Sequence, residues 1–509
     1  SSHFGPRCLG SGSHGSRIAP RSHPLAFASM EFCESGGVVA SASAVGVPCE
    51  VHSRRSCKLP ASVVVGCLLI IGLAFTGLTG RDDSARLFFV QGLDLGPPPL
   101  VFDVRTFGAK GDGTSSDTGA VRRAADAVRL AGGGVLLFPA RIGQDTIATY
   151  LTGAFNISSN TILRVERGAA LLGSPIGSEW PLVVAAEVWP QFGHGSDCVP
   201  GEESCRLMHQ AFIFAWRASN VIFEGGGVVD CGSREDTWSR CAKDLSRPPC
   251  GGYGRPHCIM FSGARHVVVR NLTVQNSPDW TLHFSNVTGL GVSHMLVLNP
   301  NSPNSDGIDI DSSQDVIVED SHISVGDDAV CVKSGIDYSG RLYGMPSKDI
   351  LFRRISIGRS HGISVGSETS GGASNITFED IDMDGSNIGL RIKSQRGRGG
   401  VVSGIVYRNI RMRNIRDQCV AFTMNFHHGL RPTNETATPK LRDVFLHNVH
   451  CESAGNSYLL DGLPEQSIIG LRLSNVTMGK SVGKLSACDY VECTCDEATT
   501  ACPDCCKKD

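Results

Sequence analysis

Aliphatic residues along this chain fall into two short frames that recur and keep step with one another. The first frame reads head residue, small residue, aliphatic, any residue, aliphatic. It appears at His257–Phe261, Trp280–Phe284, Asp306–Ile310, Asp328–Val332, His361–Val365, Ile388–Ile392 and Gln418–Phe422. The second has aliphatics five apart with a polar residue just before the second one. Its copies are Val267–Leu272, Leu290–Met295, Ile350–Ile355, Ile376–Ile381, Ile405–Ile410, Val444–Val449 and Leu471–Val476, with Val316–Ser321 as a weaker one. Alternation with period two predicts strands that bury one face. Irregular repeats in the twenties and low thirties, with several strands in each, predict the coils of a parallel β-helix joined by loops of varied length. Each coil buries its aliphatics on the next, so the stack has one continuous core. A β-sandwich with coincidental spacing is the alternative, and two frames in step over some two hundred residues count against it.

This register places chemistry. Stacking the first frame puts Trp280, Asp306, Asp328, His361 and Ile388 in one column across successive coils. Neighbouring strands lie about 4.8 Å apart, so the Asp306 and Asp328 carboxylates become near neighbours. Asp327 adds a third acid one residue away. Arg391 takes the outward position between inward Leu390 and Ile392, and Lys393 is the next outward residue. Each has an ordinary reading when taken alone. An Asp at a strand head caps turn amides, a His is structural, and Arg or Lys near a strand end is solvated. Two acids and an imidazole in one column, with two cations one coil further on, point instead to a functional site.

The segments Asn304–Asp306, Gly326–Asp328, Ser360–Gly362 and Arg391–Lys393 resemble, in order and in spacing, the four signature motifs of the polygalacturonases, glycoside hydrolase family 28. The similarity runs from about Phe102 to Met478. Ser305 stands where that family most often has Thr, and Ser360 where it often has Gly; the charged positions are untouched. The resemblance implies a right-handed parallel β-helix and an inverting hydrolysis of polygalacturonate or pectin, with no metal and no cofactor. It implies Asp327 as general acid and Asp306 with Asp328 as the base that holds the attacking water. It places His361 beside the acid or the sugar, and Arg391 and Lys393 on a galacturonate carboxylate. Asn304 is expected to orient Asp306. Val365–Gly372 resembles the exo-acting branch, and long insertions at Val188–Met208 and Cys231–His257 precede the catalytic coils. Exo-action is therefore expected over endo-action. The competing functions are a rhamnogalacturonan hydrolase and a pectin-binding wall protein without activity. A calcium-dependent lyase is disfavoured by the His361 motif.

The remainder of the chain changes the picture in three ways. Residues 1–58 carry no hydrophobic period. Residues 59–79 form an apolar run behind Arg54, Arg55 and Lys58, which reads as a signal anchor or the core of a signal peptide. Residues 80–100, with Pro97, Pro98 and Pro99, read as a linker. The β-helix is expected over 101–484, opened by a capping helix. Ser115 or Ser116 is its expected N-cap, and Ala120, Val121, Ala124, Ala125 and Val128 are its apolar stripe. Residues 485–509 form a Cys-rich tail. The 20 Cys among 509 residues cluster at 198–258 and 488–506. They predict disulfides rather than metal ligands and an oxidising compartment. Six Asn-x-Ser/Thr triplets begin at Asn156, Asn271, Asn286, Asn375, Asn434 and Asn475. A net charge of -3 gives no reason to expect a nucleic-acid partner. The expected product is a secreted or membrane-anchored monomer with its catalytic domain outside the cytosol.

Overall fold

The computed structural model describes residues 99–141, 147–193, 207–426, 437–483 and 486–508. The apolar run at 59–79, Cys198, Cys205 and the triplet at Asn434 lie outside the described residues. Among the described residues, no helix is long and apolar enough to cross a membrane.

The chain is a parallel β-helix, and both frames stack as their spacing requires. Ile259, Leu282, Ile308, Val330, Ile363, Leu390 and Val420 are register partners in successive coils. The second frame stacks likewise, from Val221 through Val267, Leu290, Val316, Ile350, Ile376, Ile405 and Val444 to Leu471. Inward residues of both frames are almost completely buried and form one continuous core. Burying each such Val, Leu or Ile is worth about 1.5–3 kcal/mol. Within the core, Phe352, Phe378 and Tyr407 stack face to face, with centroids 4.8 and 5.0 Å apart. Removing Phe378 leaves a cavity between two rings.

The polar residue of the second frame turns the chain. Asn271, His294, Asp320, Arg354, Asp380, Asn409, Asn448 and Asn475 all have φ between 50° and 55°. Asn and Asp tolerate this left-handed conformation better than other residues with a side chain. Their side chains also bond from coil to coil: Asn409 donates to Asp380 at 2.9 Å, Asn448 to Asn409 at 2.8 Å and Asn475 to Asn448 at 3.2 Å. The triplets at Asn271 and Asn475 thus begin on residues that the corner itself requires. Both of these asparagines are exposed.

A helix at Thr118–Leu130 covers the first coil, with Ala120, Val121, Ala124 and Val128 buried. Its N-cap is Asp117 rather than Ser115 or Ser116. The Asp117 carboxylate accepts from the backbone N–H groups of Lys110 and Gly111 and ties the entry loop to the helix. The Cys-rich tail is continuous with the stack. Ser486–Asp489 pairs with Tyr458–Asp461, and Val491–Cys495 pairs with Ile468–Leu473, so the helix runs one turn past the boundary expected at 484. Its Cys form the pairs Cys488–Cys505, Cys493–Cys506 and Cys495–Cys502, which close the last coil where no further coil follows among the described residues. Cys231–Cys258, Cys241–Cys250 and Cys419–Cys451 are also disulfides.

Candidate active site

The heads of four adjacent strands converge on the outward face of the first-frame sheet. Because Leu282, Ile308, Val330, Ile363 and Leu390 are register partners, the residues two before them align as Trp280, Asp306, Asp328, His361 and Ile388, the column expected from sequence. Gly307 sits where a Cβ would lie 2.3 Å from the Ala329 carbonyl, so only Gly lets the two acidic strand heads approach this closely. Gly326 likewise leaves no room for a Cβ, which would meet the Ser302 carbonyl at 2.0 Å.

Asp327 and His361 form one pair. His361 Nδ1 lies 2.8 Å from Asp327 Oδ1, and the His361 N–H donates to the Asp327 carbonyl at 2.7 Å. The hydrogen bond to Asp327 raises the imidazole pKa, against the opposing effect of burial. The imidazole proton is therefore held toward Asp327, and both side chains are partly exposed. Asp328 is different: it is fully buried. Burial alone would push its carboxyl up, but Lys393, Arg391 and Lys333 outweigh burial and hold it far below the usual carboxylate range. Lys393 Nζ sits 2.7 Å from Asp328 Oδ2, and Arg391 is 3.7 Å from Oδ1. The nearest side-chain atoms of Asp327, Asp328 and His361 lie within 4.8 Å of one another.

Asp306 has a third environment. Burial, followed by the neighbouring Asp309, raises its pKa well above the usual value, and Lys333 opposes that rise. Lys333 Nζ is 3.3 Å from Asp306, 3.7 Å from Asp309 and 3.2 Å from Glu368. Two acids made equivalent by register thus carry opposite electrostatics.

Two expected binding residues sit otherwise than expected. Lys393 is 6% exposed and is spent on Asp328 rather than free for a sugar carboxylate. Arg391 is the outward cation nearer solvent, lying 5.1 Å from the Phe426 ring centroid. Asn304 is exposed, in the left-handed conformation, and accepts from Arg255 at 2.9 Å, which makes it a rim residue held by a buried arginine.

Before Asp306 the same face is roofed. The Ala185–Val188 helix leads into Trp189, Gln191 and Phe192. Trp189 packs edge-on against Trp280, His257 and His283, with centroids 4.8–5.2 Å apart, and stacks on Phe192. Asp311 fastens this segment by accepting from Trp189 Nε1 at 2.7 Å and from Gln191 Nε2 at 3.0 Å. Val188, Phe192, Phe214, Met260, Trp280 and Ile336 complete a buried apolar cluster there.

Asp309, Asp311 and Lys333 were missed as site residues in the sequence reading, yet each occupies an outward position of the frames already aligned. They stand three places (Asp309) and five places (Asp311 and Lys333) past the strand heads Asp306 and Asp328, so the same register reaches them. Trp189 and Glu368 lie outside any repeat, and no periodic signal marks them.

Residues 202–502 match the model of the glycosyl hydrolases family 28. The chain is 32% identical over 382 residues to a probable polygalacturonase of Vitis vinifera, covering 73% of each protein. It is 26% identical over 346 residues to an endo-polygalacturonase of Pectobacterium parmentieri, covering 66% of this chain and 79% of that one. Among solved structures it resembles a hyperthermoactive exopolygalacturonase from Thermotoga maritima, with a TM-score of 0.66 at 23% identity, over 81% of this chain and 93% of that one.

Proposed function

This chain belongs to the glycosyl hydrolases family 28, and from that premise we propose that it hydrolyses the α-1,4-galacturonosidic bonds of polygalacturonate with inversion. The observation that carries the reading is a trio of acids with three different sets of partners beside an outward arginine. An inverting glycosidase needs a protonated carboxyl for the leaving oxygen and an ionised one that activates water, roughly 6.5–9.5 Å apart. Asp327 is the general acid: it is the most exposed of the three acids, and its Oδ1 lies 2.8 Å from His361 Nδ1. Asp328, ionised by its cations, and Asp306 hold the attacking water as the base. Arg391 meets the substrate carboxylate through charge-assisted hydrogen bonds. Lys393 acts through Asp328.

Exo-action is the finer part of the proposal. Support for it comes from the roof: Trp189 and Phe192 cover the coils immediately before Asp306, so a sugar chain entering from the His361 side meets a wall after few residues. We take the released product to be galacturonic acid from the non-reducing end. Six disulfides among the described residues support action outside the cytosol, on cell-wall pectin.

The test is incubation of the purified protein with polygalacturonate and with rhamnogalacturonan, in parallel with Asp327→Asn. Release of galacturonate from the first substrate only, and none from the variant, is expected. Turnover of rhamnogalacturonan alone, or undiminished turnover by the variant, would overturn the reading.

A further inference from the structure

We propose that Lys333 is a positioning residue that sets the ionisation of Asp306 and thereby the acidic limit of the reaction. The inference rests on Asp306 serving as part of the base, as above, but adds a residue that none of the four motifs contains. Lys333 ends the strand Val330–Lys333, four places beyond the Ala329 neighbour of Asp328, and points outward like Lys393 two coils on. Its side chain is 5% exposed and its ammonium is taken up by carboxylates of the protein. The surroundings are almost wholly anionic. Asp306 and Asp309 on the preceding strand lie at 3.3 and 3.7 Å, and Glu368 on the following coil at 3.2 Å. The Trp280 ring closes the remaining side, its centroid 4.2 Å from the ammonium, a further cation-stabilising contact.

This cluster is short of positive charge. Neither carboxylate oxygen of Asp309 has a hydrogen-bond partner, although the side chain is completely buried. Asp306, Asp309 and the Cys331 thiol lie within 4.8 Å of one another. A second ionised carboxylate here would have to be neutralised by Lys333 alone, which Glu368 also engages. Burial and then Lys333 are the leading influences on Asp309, and burial wins: its carboxyl is pushed well up. Glu368 is the reverse, lowered to about 2 because Lys333, Arg398 and Lys393 together exceed the cost of its burial. Asp306 and Asp309 therefore titrate as neighbours, and Lys333, 3.3 and 3.7 Å from them, decides how readily a proton leaves. The other charges facing Asp306 are Asp327 and Asp328, both of which favour keeping the proton.

The sign follows directly. A base must be ionised, so the acidic limb of the rate profile tracks the pKa of Asp306. Lys333 lowers that value and Asp309 raises it. In Lys333→Gln the acidic limb of kcat/KM should move up by about 1–3 pH units, with activity recovering toward higher pH. In Asp309→Asn it should move down. A purely structural role would lower the rate at every pH and leave the limb in place.

The experiment is kcat/KM on polygalacturonate across pH for wild type, Lys333→Gln, Asp309→Asn and Asp306→Asn, with thermal unfolding of each. Opposite limb shifts in the first two variants are expected. If Lys333→Gln does not fold, Asp309→Asn carries the test, and an unmoved limb in it overturns the proposal. An unmoved limb in a folded Lys333→Gln also overturns it. Activity surviving in Asp306→Asn would instead remove the base assignment itself, so the two failures are told apart.

Discussion

The outward face of one sheet is built in two ways on either side of Asp306. On the preceding coils it carries Phe214, Met260, Trp280, His257 and His283, all buried beneath Trp189 and Phe192. From Asp306 onward it carries acids and cations, with His361 and Asp327 reaching the surface. The strands beneath are the same: same register, same aliphatic inward residues, same spacing. The difference shows that the fold sets where side chains stand, and that outward residues alone convert a binding wall into a reactive site. The apolar half excludes water and substrate. The ionic half is kept from collapsing into fixed ion pairs by having more carboxylates than cations, so that protons remain to be exchanged.

The comparison is broken most severely by removing the proton donor. Asp327→Asn should lower kcat by about 10²–10⁴-fold, the usual worth of a positioned general acid. Oligogalacturonate binding, followed by calorimetry, should persist. Lys393→Ala should act next, through stability: it removes the one cation in direct contact with buried Asp328, leaving Arg391 at 3.7 Å and the more distant Lys333, and breaking a buried pair costs about 3–5 kcal/mol. Denaturant unfolding checks this, and the loss should shrink in Lys393→Ala/Asp328→Asn. Arg391→Ala should leave the fold intact and weaken substrate, losing about 1.5–3 kcal/mol of charge-assisted bonding. That would appear as a higher KM. The two cations of one motif thus separate into a stability residue and a binding residue.

A smaller effect is expected at His361. Its pKa is raised by Asp327, so the imidazole proton survives to higher pH and is lost as pH climbs through the raised value. His361→Gln should pull the alkaline limb of kcat to lower pH, leaving the acidic limb where it is. A pH profile of that variant beside wild type is the check.

Much of the ionic half was legible in the sequence because it is periodic. Once the first frame is aligned, Asp306, Asp328 and His361 fall in one column without any coordinates. Asp309 occupies the frame's unrestricted place and Lys333 stands one residue beyond the frame, so the repeat constrains neither. What the frame cannot tell is pairing. Lys393 and Arg391 alternate identically, yet one is consumed by Asp328 and the other is not, a matter of side-chain reach. The roof lies beyond sequence reading for a different reason. Trp189 and Gln191 sit in an insertion with no period, and their place is decided by Asp311, 120 residues or more away in the chain.

Trp189→Ala should loosen the roof and let longer chains through, which sharpens the contrast between the two halves. The most direct test of the account, however, needs only the native protein. Viscosity and early products are followed together as it acts on polygalacturonate. A closed apolar half predicts mono-galacturonate from the first minutes with almost no fall in viscosity. A rapid fall in viscosity with a ladder of oligogalacturonates would contradict it.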